Sequence, residues 1–317
     1  MTRAALDAPT TLEQQVWQAA ESAHQTRVDG LLADRLARAS RGRKHPVEDF
    51  LFTYYGLRPA RLRRWHPGAG VVLLGDAARA RLTWRDQVEV GTDDGPGVTL
   101  DLAGFLARRG DAVRHVRDLL AATAGRPPQL SCFGLHEWAM VYRLPADDVR
   151  HAGWPLRLGA AGTDAVVEAH RIRCTHHDAF RFFTPAARPL NQLQPRREDQ
   201  ITIEQPGCLH ATMDLYKWAY KLLPAVPSEL VADAFVLARD VRGLDMRASP
   251  YDLRALGYEP VPIETPGGRT AYVDEQRAFA ERAAPLRARL LSLSDGLLSR
   301  SDRLLSRSDR LLRTPPQ

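Results

Sequence analysis

The sequence predicts an α+β fold in which helical N-terminal and C-terminal regions surround a central group of mostly antiparallel strands. Three observations carry this. Apolar residues at helical spacing open the chain between Leu12 and Ala39. Two β-rich strings, VVLLG and RLTWRDQVEV, follow between Val71 and Val90. From Met213 onward helical spacing returns, interrupted only at Pro and Gly. On composition the chain divides into a helix and basic turn over 1–44, a main α+β body over 45–290 and a low-complexity tail over 291–317.

In the first helix Val16, Ala20, Val28, Leu31, Leu32 and Leu36 recur near helical spacing, with Gly42 past the end. A basic turn, RASRGRKHP, leads to a short helix expected over Val47 to Tyr55, which follows Pro46 and carries Glu48 and Asp49 in its first turn. The string LRPARLRRWHPG then gathers Arg58, Arg61, Arg63, Arg64, Trp65 and His66. It reads as a solvated basic loop or as a surface for phosphates. The strings VVLLG and RLTWRDQVEV read as strands on either side of a turn at Gly75 and Asp76, GTDDGPG as a turn, and Leu102 to Ala124 as a helix stopped by GRPP.

VVEAHRIRC alternates with period two, so a strand is expected with Val166, Glu168, His170, Ile172 and Cys174 on one face. Helices are expected over Met213–Leu223, Ser228–Val241, Pro250–Leu256 and Asp274–Leu291. In the tail LLSRSDR occurs at Leu297–Arg303 and again at Leu304–Arg310, after a degenerate copy LLSLSDG. Three copies with a narrow leucine stripe suggest a frayed helix without chemistry.

Hydrophobic residues at 44% and charged residues at 26% describe an ordinary soluble globular chain. No apolar run approaches the roughly 18 residues of a membrane span, and MTRAALDAPTTLEQQVWQ has no apolar core of a signal peptide. A cytoplasmic protein with no membrane partner is expected. Cys132, Cys174 and Cys208 are odd in number and form no Cys-X-X-Cys, which argues for reduced thiols and against a zinc ribbon. The net charge of +6 suits a polyanion such as DNA. Only Lys44, Lys217 and Lys221 are lysines among 44 basic residues. Arginine stays protonated, whereas a buried lysine can act as a base or amine nucleophile, so the retained lysines draw notice.

The segment from His170 to Lys221 concentrates residues that ligate, titrate or stack. In CLHATMDLYKWAYK, His210, Asp214, Lys217 and Lys221 share one helical face beside an apolar stripe of Leu209, Met213, Tyr216, Tyr220 and Leu223. Upstream, His176, His177 and Asp178 follow His170. His-X-Asp with a distant His is the pattern of a facial iron triad, met by His176, Asp178 and His210, with His170 near and His136, Glu137 and His66 as further candidates.

The strings HPVEDFLFTYYGLRPARLRRWHPG, CTHHDAFRFFTPAARPLN, GCLHATMDLYKWAYKL and LDMRASPYDL together resemble a group of bacterial proteins labelled 3-methyladenine DNA glycosylase. The resemblance spans His45 to about Leu290. This sequence departs from the well-understood alkylpurine glycosylases, lacking their helix-hairpin-helix and the catalytic Asp that follows it, so none of their catalytic residues carries over. The resemblance implies excision of an alkylated purine from DNA, with no cofactor. Such chemistry needs stacking side chains, a carboxylate and a basic surface. Trp138, Tyr142, Phe180, Phe182, Tyr216 and Trp218 are candidates to stack the base. Glu137, Asp178 and Asp214 are candidate carboxylates, Lys217 a candidate amine nucleophile, and Arg61, Arg63 and Arg64 candidate phosphate contacts. Two alternatives stand beside it. One is an iron or zinc enzyme, a mononuclear oxygenase or a hydrolase, with ligands among His170, His176, Asp178 and His210. The other is a nucleic-acid-binding module without catalysis.

Overall fold

A computed structural model describes residues 9–145 and 153–312, with side chains as far as Arg300. It has the expected α+β character. A short strand β1 (Thr10–Leu12) precedes the long helix α1 (Gln14–Ala39), and α2 (Phe50–Tyr55) and α3 (Pro59–Arg63) follow. Gly56, at φ 75°, ends α2 in the left-handed conformation that glycine takes without strain. Strands β2 (Val71–Leu74), β3 (Gln87–Thr92) and β4 (Gly95–Leu100) complete a sheet of order β1-β2-β4-β3. The β1–β2 pair is parallel and the other two pairs are antiparallel, with Leu73 opposite Val98. Gly97 is required here, because a Cβ would stand 2.5 Å from Val72 Cγ1. Trp17, Trp65, Leu73, Ala78 and Val98 bury one face of the sheet.

Helix α4 (Leu102–Ala124) starts where Asp101 accepts from the Gly104 amide at 2.9 Å, a side-chain N-cap. The short helices α5 (Leu135–Ala139), α6 (Gly159–Ala169), α7 (His177–Phe180) and α8 (Gln200–Ile203) lead to α9 (Leu209–Lys221), α10 (Ser228–Arg247) and α11 (Pro266–Leu312). The main core forms where α9 packs on α10 and α11, and α11 on α4. Every residue of α9 from Leu209 to Ala219 is buried. Such a helix normally carries apolar residues all round. Here the buried set includes His210, Asp214 and Lys217.

Several elements differ from the sequence reading. The expected strand VVEAHRIRC is divided: Val166 to Ala169 end α6, and the chain turns extended only at His170, making a single bridge of Ile172 with Asn191. Val166 and Val167 are both buried, which one face of a helix permits and an alternating strand does not. RLTWRDQVEV is likewise split. Arg81 to Thr83 belong to a 3-10 helix over Asp76–Thr83, and Asp86 at φ 66° breaks the chain before β3. Of Pro250–Leu256 only Arg254–Leu256 is helical, as one 3-10 turn. Helix α11 does not end at Leu291; it runs 47 residues in all, from Pro266 to Leu312, and Leu290 and Leu297 lie in the core. The repeat side chains beyond Arg300 lie outside the described residues. No described helix is long and apolar enough to cross a membrane.

Candidate metal centre

The buried polar residues of α9 meet side chains from α5, α10 and the loops around α7 and α8. Two groups of possible ligands result, His136 with His210 and Asp245, and His176 with Glu204 and Asp214. All six side chains are buried. His210 links the groups: its ring lies 4.4 Å from that of His136 and stacks on that of His176 at 5.2 Å.

Local structure delivers each member. Phe133 and Gly134, at φ 46° and 65°, are successive left-handed residues that turn the chain sharply into α5. Strain of about 1–3 kcal/mol at a residue such as Phe133 persists only where its surroundings enforce it, and His136 and Glu137 come directly afterwards. The indole of Trp138 donates to the Ala248 carbonyl at 2.8 Å and ties α5 to the end of α10. His176 caps α7. Its approach is held by Asn191, whose Oδ1 accepts from the Cys174 amide at 2.7 Å while Nδ2 donates to the Cys174 and Leu193 carbonyls at 3.0 and 2.6 Å. Arg126 fixes the end of α8 through the carbonyls of Ile201 and Glu204, at 2.6 and 2.8 Å.

The first group has the features of an ion-binding set. His136 Nε2 and Asp245 Oδ1 face each other at 2.8 Å as a buried ion pair. Burial opposes charge on His136, but Asp245 and Glu137 outweigh it and raise its pKa, so in the absence of an ion the pair is held by its own charges. Donors bound at about 2.1 Å to one ion stand about 3.0 Å apart in an octahedron and about 3.4 Å apart in a tetrahedron. The three ligand atoms of this group lie within 4.8 Å of one another, a spread that either arrangement spans. Burial, with His136 and His176 adding to it, pushes His210 well below its ordinary pKa, leaving the neutral imidazole a metal requires. Burial opposes charge on Asp245 as well, but His136 and Arg242 outweigh it and hold the carboxylate ionised. Arg242 Nη1 donates both to Asp245 Oδ2 and, at 2.7 Å, to Glu137 Oε1.

The second group is engaged differently. Asp214 Oδ1 accepts from Tyr55 at 2.9 Å, while Oδ2 accepts from Lys217 and lies 3.3 Å from His176 Nε2. Lys217 also reaches Asp178 Oδ2 at 3.4 Å. Glu204 accepts from Gln200 at 2.7 Å and Thr123 at 3.3 Å, and lies 3.8 Å from His176. Burial opposes charge on both Asp214 and Lys217, but their mutual attraction overrides it, lowering the one pKa and raising the other.

Two small cavities reach His210. One, about 40 Å³, runs past Phe50, Tyr54, Asp178 and Phe182 to His210, Glu137 and Arg242. The other, about 20 Å³, is lined by His136, His210 and all three cysteines. Each has room for at least one water. Burial lifts the Cys174 thiol to about 12 and raises Cys132 and Cys208 as well, in line with unreactive thiols.

The sequence-derived triad of His176, Asp178 and His210 is therefore not the grouping that forms. Asp178 sits beside His177, Arg181 and Lys217 at the cavity mouth. His170 lies apart, with Nδ1 2.7 Å from the Val166 carbonyl and Nε2 facing Arg269. Its displacement follows from the missing strand. His66 is buried elsewhere, its pKa lowered to about 3 by burial and by Arg81, Arg64 and Arg61. Sequence reasoning missed Glu204, Asp245, Arg242 and Tyr55. Only Asp245 and Arg242 left a trace, as polar residues three apart on a helix that is otherwise largely apolar on that face.

The stacking candidates divide. Trp138, Tyr142 and Tyr216 are core residues, with Tyr142 donating to Glu168 at 2.8 Å. Phe180 packs on Phe183, Trp218 lies beneath Lys217 and Lys221, and Phe182 lines the cavity mouth. Arg63 forms a surface pair with Asp29, whereas Arg61 and Arg64 line a separate groove of about 270 Å³ together with Trp84, Arg85, Asp86, Arg108 and Arg109. Compared with family models, curated proteins and solved structures, the chain matches none.

Proposed function

We propose that this protein is a mononuclear iron enzyme, an oxygenase in reaction class, with His136, His210 and Asp245 as the metal ligands. The observation that carries the reading is the convergence of three buried side chains, His136, His210 and Asp245, whose ligand atoms lie within 4.8 Å of one another. Two histidines and one carboxylate with open positions suit ferrous iron. The cavity past Tyr54 and Phe182, about 40 Å³, reaches His210 with room for a molecule the size of water or dioxygen, and Phe50, Met140 and Phe182 line it.

Elemental analysis after anaerobic reconstitution with ferrous iron tests this. One iron per chain is expected in the wild type and none in His136→Ala or Asp245→Asn. A folded wild type without stoichiometric metal would overturn the reading.

A second reading, excision of an alkylated purine from DNA, is favoured by the groove of Arg61, Arg64, Arg85, Arg108 and Arg109, where only Asp86 offsets five guanidinium groups. It takes Asp178 at the open cavity mouth as the carboxylate. Release of 3-methyladenine from methylated DNA, abolished in Asp178→Asn, would support it; no release at high enzyme concentration removes it.

A further inference from the structure

The groups His136–His210–Asp245 and His176–Glu204–Asp214 lie side by side, joined through the stacked rings of His176 and His210. Each offers three buried ligand atoms within 4.8 Å of one another. They differ in one respect. In the first group the single carboxylate, Asp245, faces His136 and Arg242, whereas the second holds two carboxylates, Asp214 engaged by Tyr55, His176 and Lys217, and Glu204 by Thr123 and Gln200.

The positive charge already present in the second group comes from the chain itself. We infer that the ammonium of Lys217, bound to Asp214, stands in for a cation at the second group of His176, Glu204 and Asp214, so that the centre holds one metal ion beside one built-in cation. This rests on reading His136, His210 and Asp245 as the metal ligands.

Lys217 projects from the same helix as Asp214, one turn on, and is almost wholly buried. An ammonium is a compact charge with three donors, and two of them are directed at Asp214 and Asp178. Arg287 is a further buried cation near Glu204, but it makes no hydrogen bond to that carboxylate among the described residues. The lysine is tethered, so it does not exchange with solvent. A divalent ion entering the second position would have to displace it from Asp214 against charge repulsion inside the protein, where screening is weak. The ammonium thus keeps a site with suitable donors closed to metal.

Removing the charge opens it. The test counts ions in the wild type, Lys217→Gln and Lys217→Arg after anaerobic reconstitution with excess ferrous iron and desalting, with manganese(II) loading and electron paramagnetic resonance in parallel. Expected counts are one, two and one. The manganese spectrum changes from an isolated ion in the wild type to a coupled pair in Lys217→Gln.

Two ions in the wild type, or no gain in a folded Lys217→Gln, overturns the inference. If that variant does not fold, Glu204→Gln decides: its count stays that of the wild type when the lysine fills the position, and a lower count overturns the inference. No ion in the wild type with one in Lys217→Gln removes the first metal position and keeps the lysine's role, whereas none in either removes both.

Discussion

The hydroxyl of Tyr55 donates to Oδ1 of Asp214 at 2.9 Å, joining α2 to the middle of α9 across 159 residues of sequence. Both side chains are buried, so the bond has no water to replace it. Tyr55→Phe keeps the ring and its edge contact with Tyr216 but leaves a buried carboxylate oxygen without its donor. We expect a loss of about 1–3 kcal/mol in urea unfolding.

Arg242 is the only cation that the described structure hydrogen-bonds to both Glu137 and Asp245, and it also stacks over Phe50 with Cζ 4.0 Å from the ring centre. Arg242→Met retains much of the packing and strands two buried carboxylates. Breaking a buried pair from one side costs about 3–5 kcal/mol, and a loss of unfolding free energy of that size is expected in chemical denaturation.

Leu297 opens the first LLSRSDR repeat, yet it is 3% exposed and belongs to the core where α11 meets its neighbours. Leu297→Ala is expected to destabilise by about 2–5 kcal/mol in chemical unfolding. Ser299→Ala, two residues on at a position outside the core, is expected to change stability by less than about 0.5 kcal/mol.

Glu264 receives two hydrogen bonds from Arg157, at 2.9 and 3.1 Å. Burial opposes its charge, but the pairing prevails and its pKa is lowered. A lowered carboxylate contributes stability that is present above its unfolded pKa of about 4.3 and is lost as pH falls through the folded value. Glu264→Gln should therefore be less stable than wild type at pH 7, and the gap should narrow below about pH 4. Unfolding measured across that range checks the sign, and a constant gap would contradict it.

The parts of the fold that were legible were the long helices, because α1, α4, α10 and α11 each carry enough turns for apolar spacing to register. The strand expected over His170 was not, since a short alternating string does not show which of its adjacent valines is buried and the missing neighbour strand is invisible locally. At the site, the row of His210, Asp214 and Lys217 on α9 was readable from spacing alone. Its burial was not, because a charged face ordinarily points to water. Asp245 and Glu204 escaped notice because neither stands near another ligand in sequence. Proximity in the chain favoured Asp178 beside His176, while tertiary packing brought Asp214 and Glu204 instead.

The hydrogen bond from Trp138 to the Ala248 carbonyl gives the His136–Asp245 spacing a cause independent of any ion. It braces α5 against α10 just beyond the two ligands, so the span between them behaves as a fixed gauge. Selection at such a set comes from donor type: two imidazoles and one carboxylate suit transition ions, whereas calcium takes oxygen ligands. Loosening the brace with Trp138→Phe would keep all three ligand side chains and free α5 to shift against α10, changing the His136–Asp245 separation.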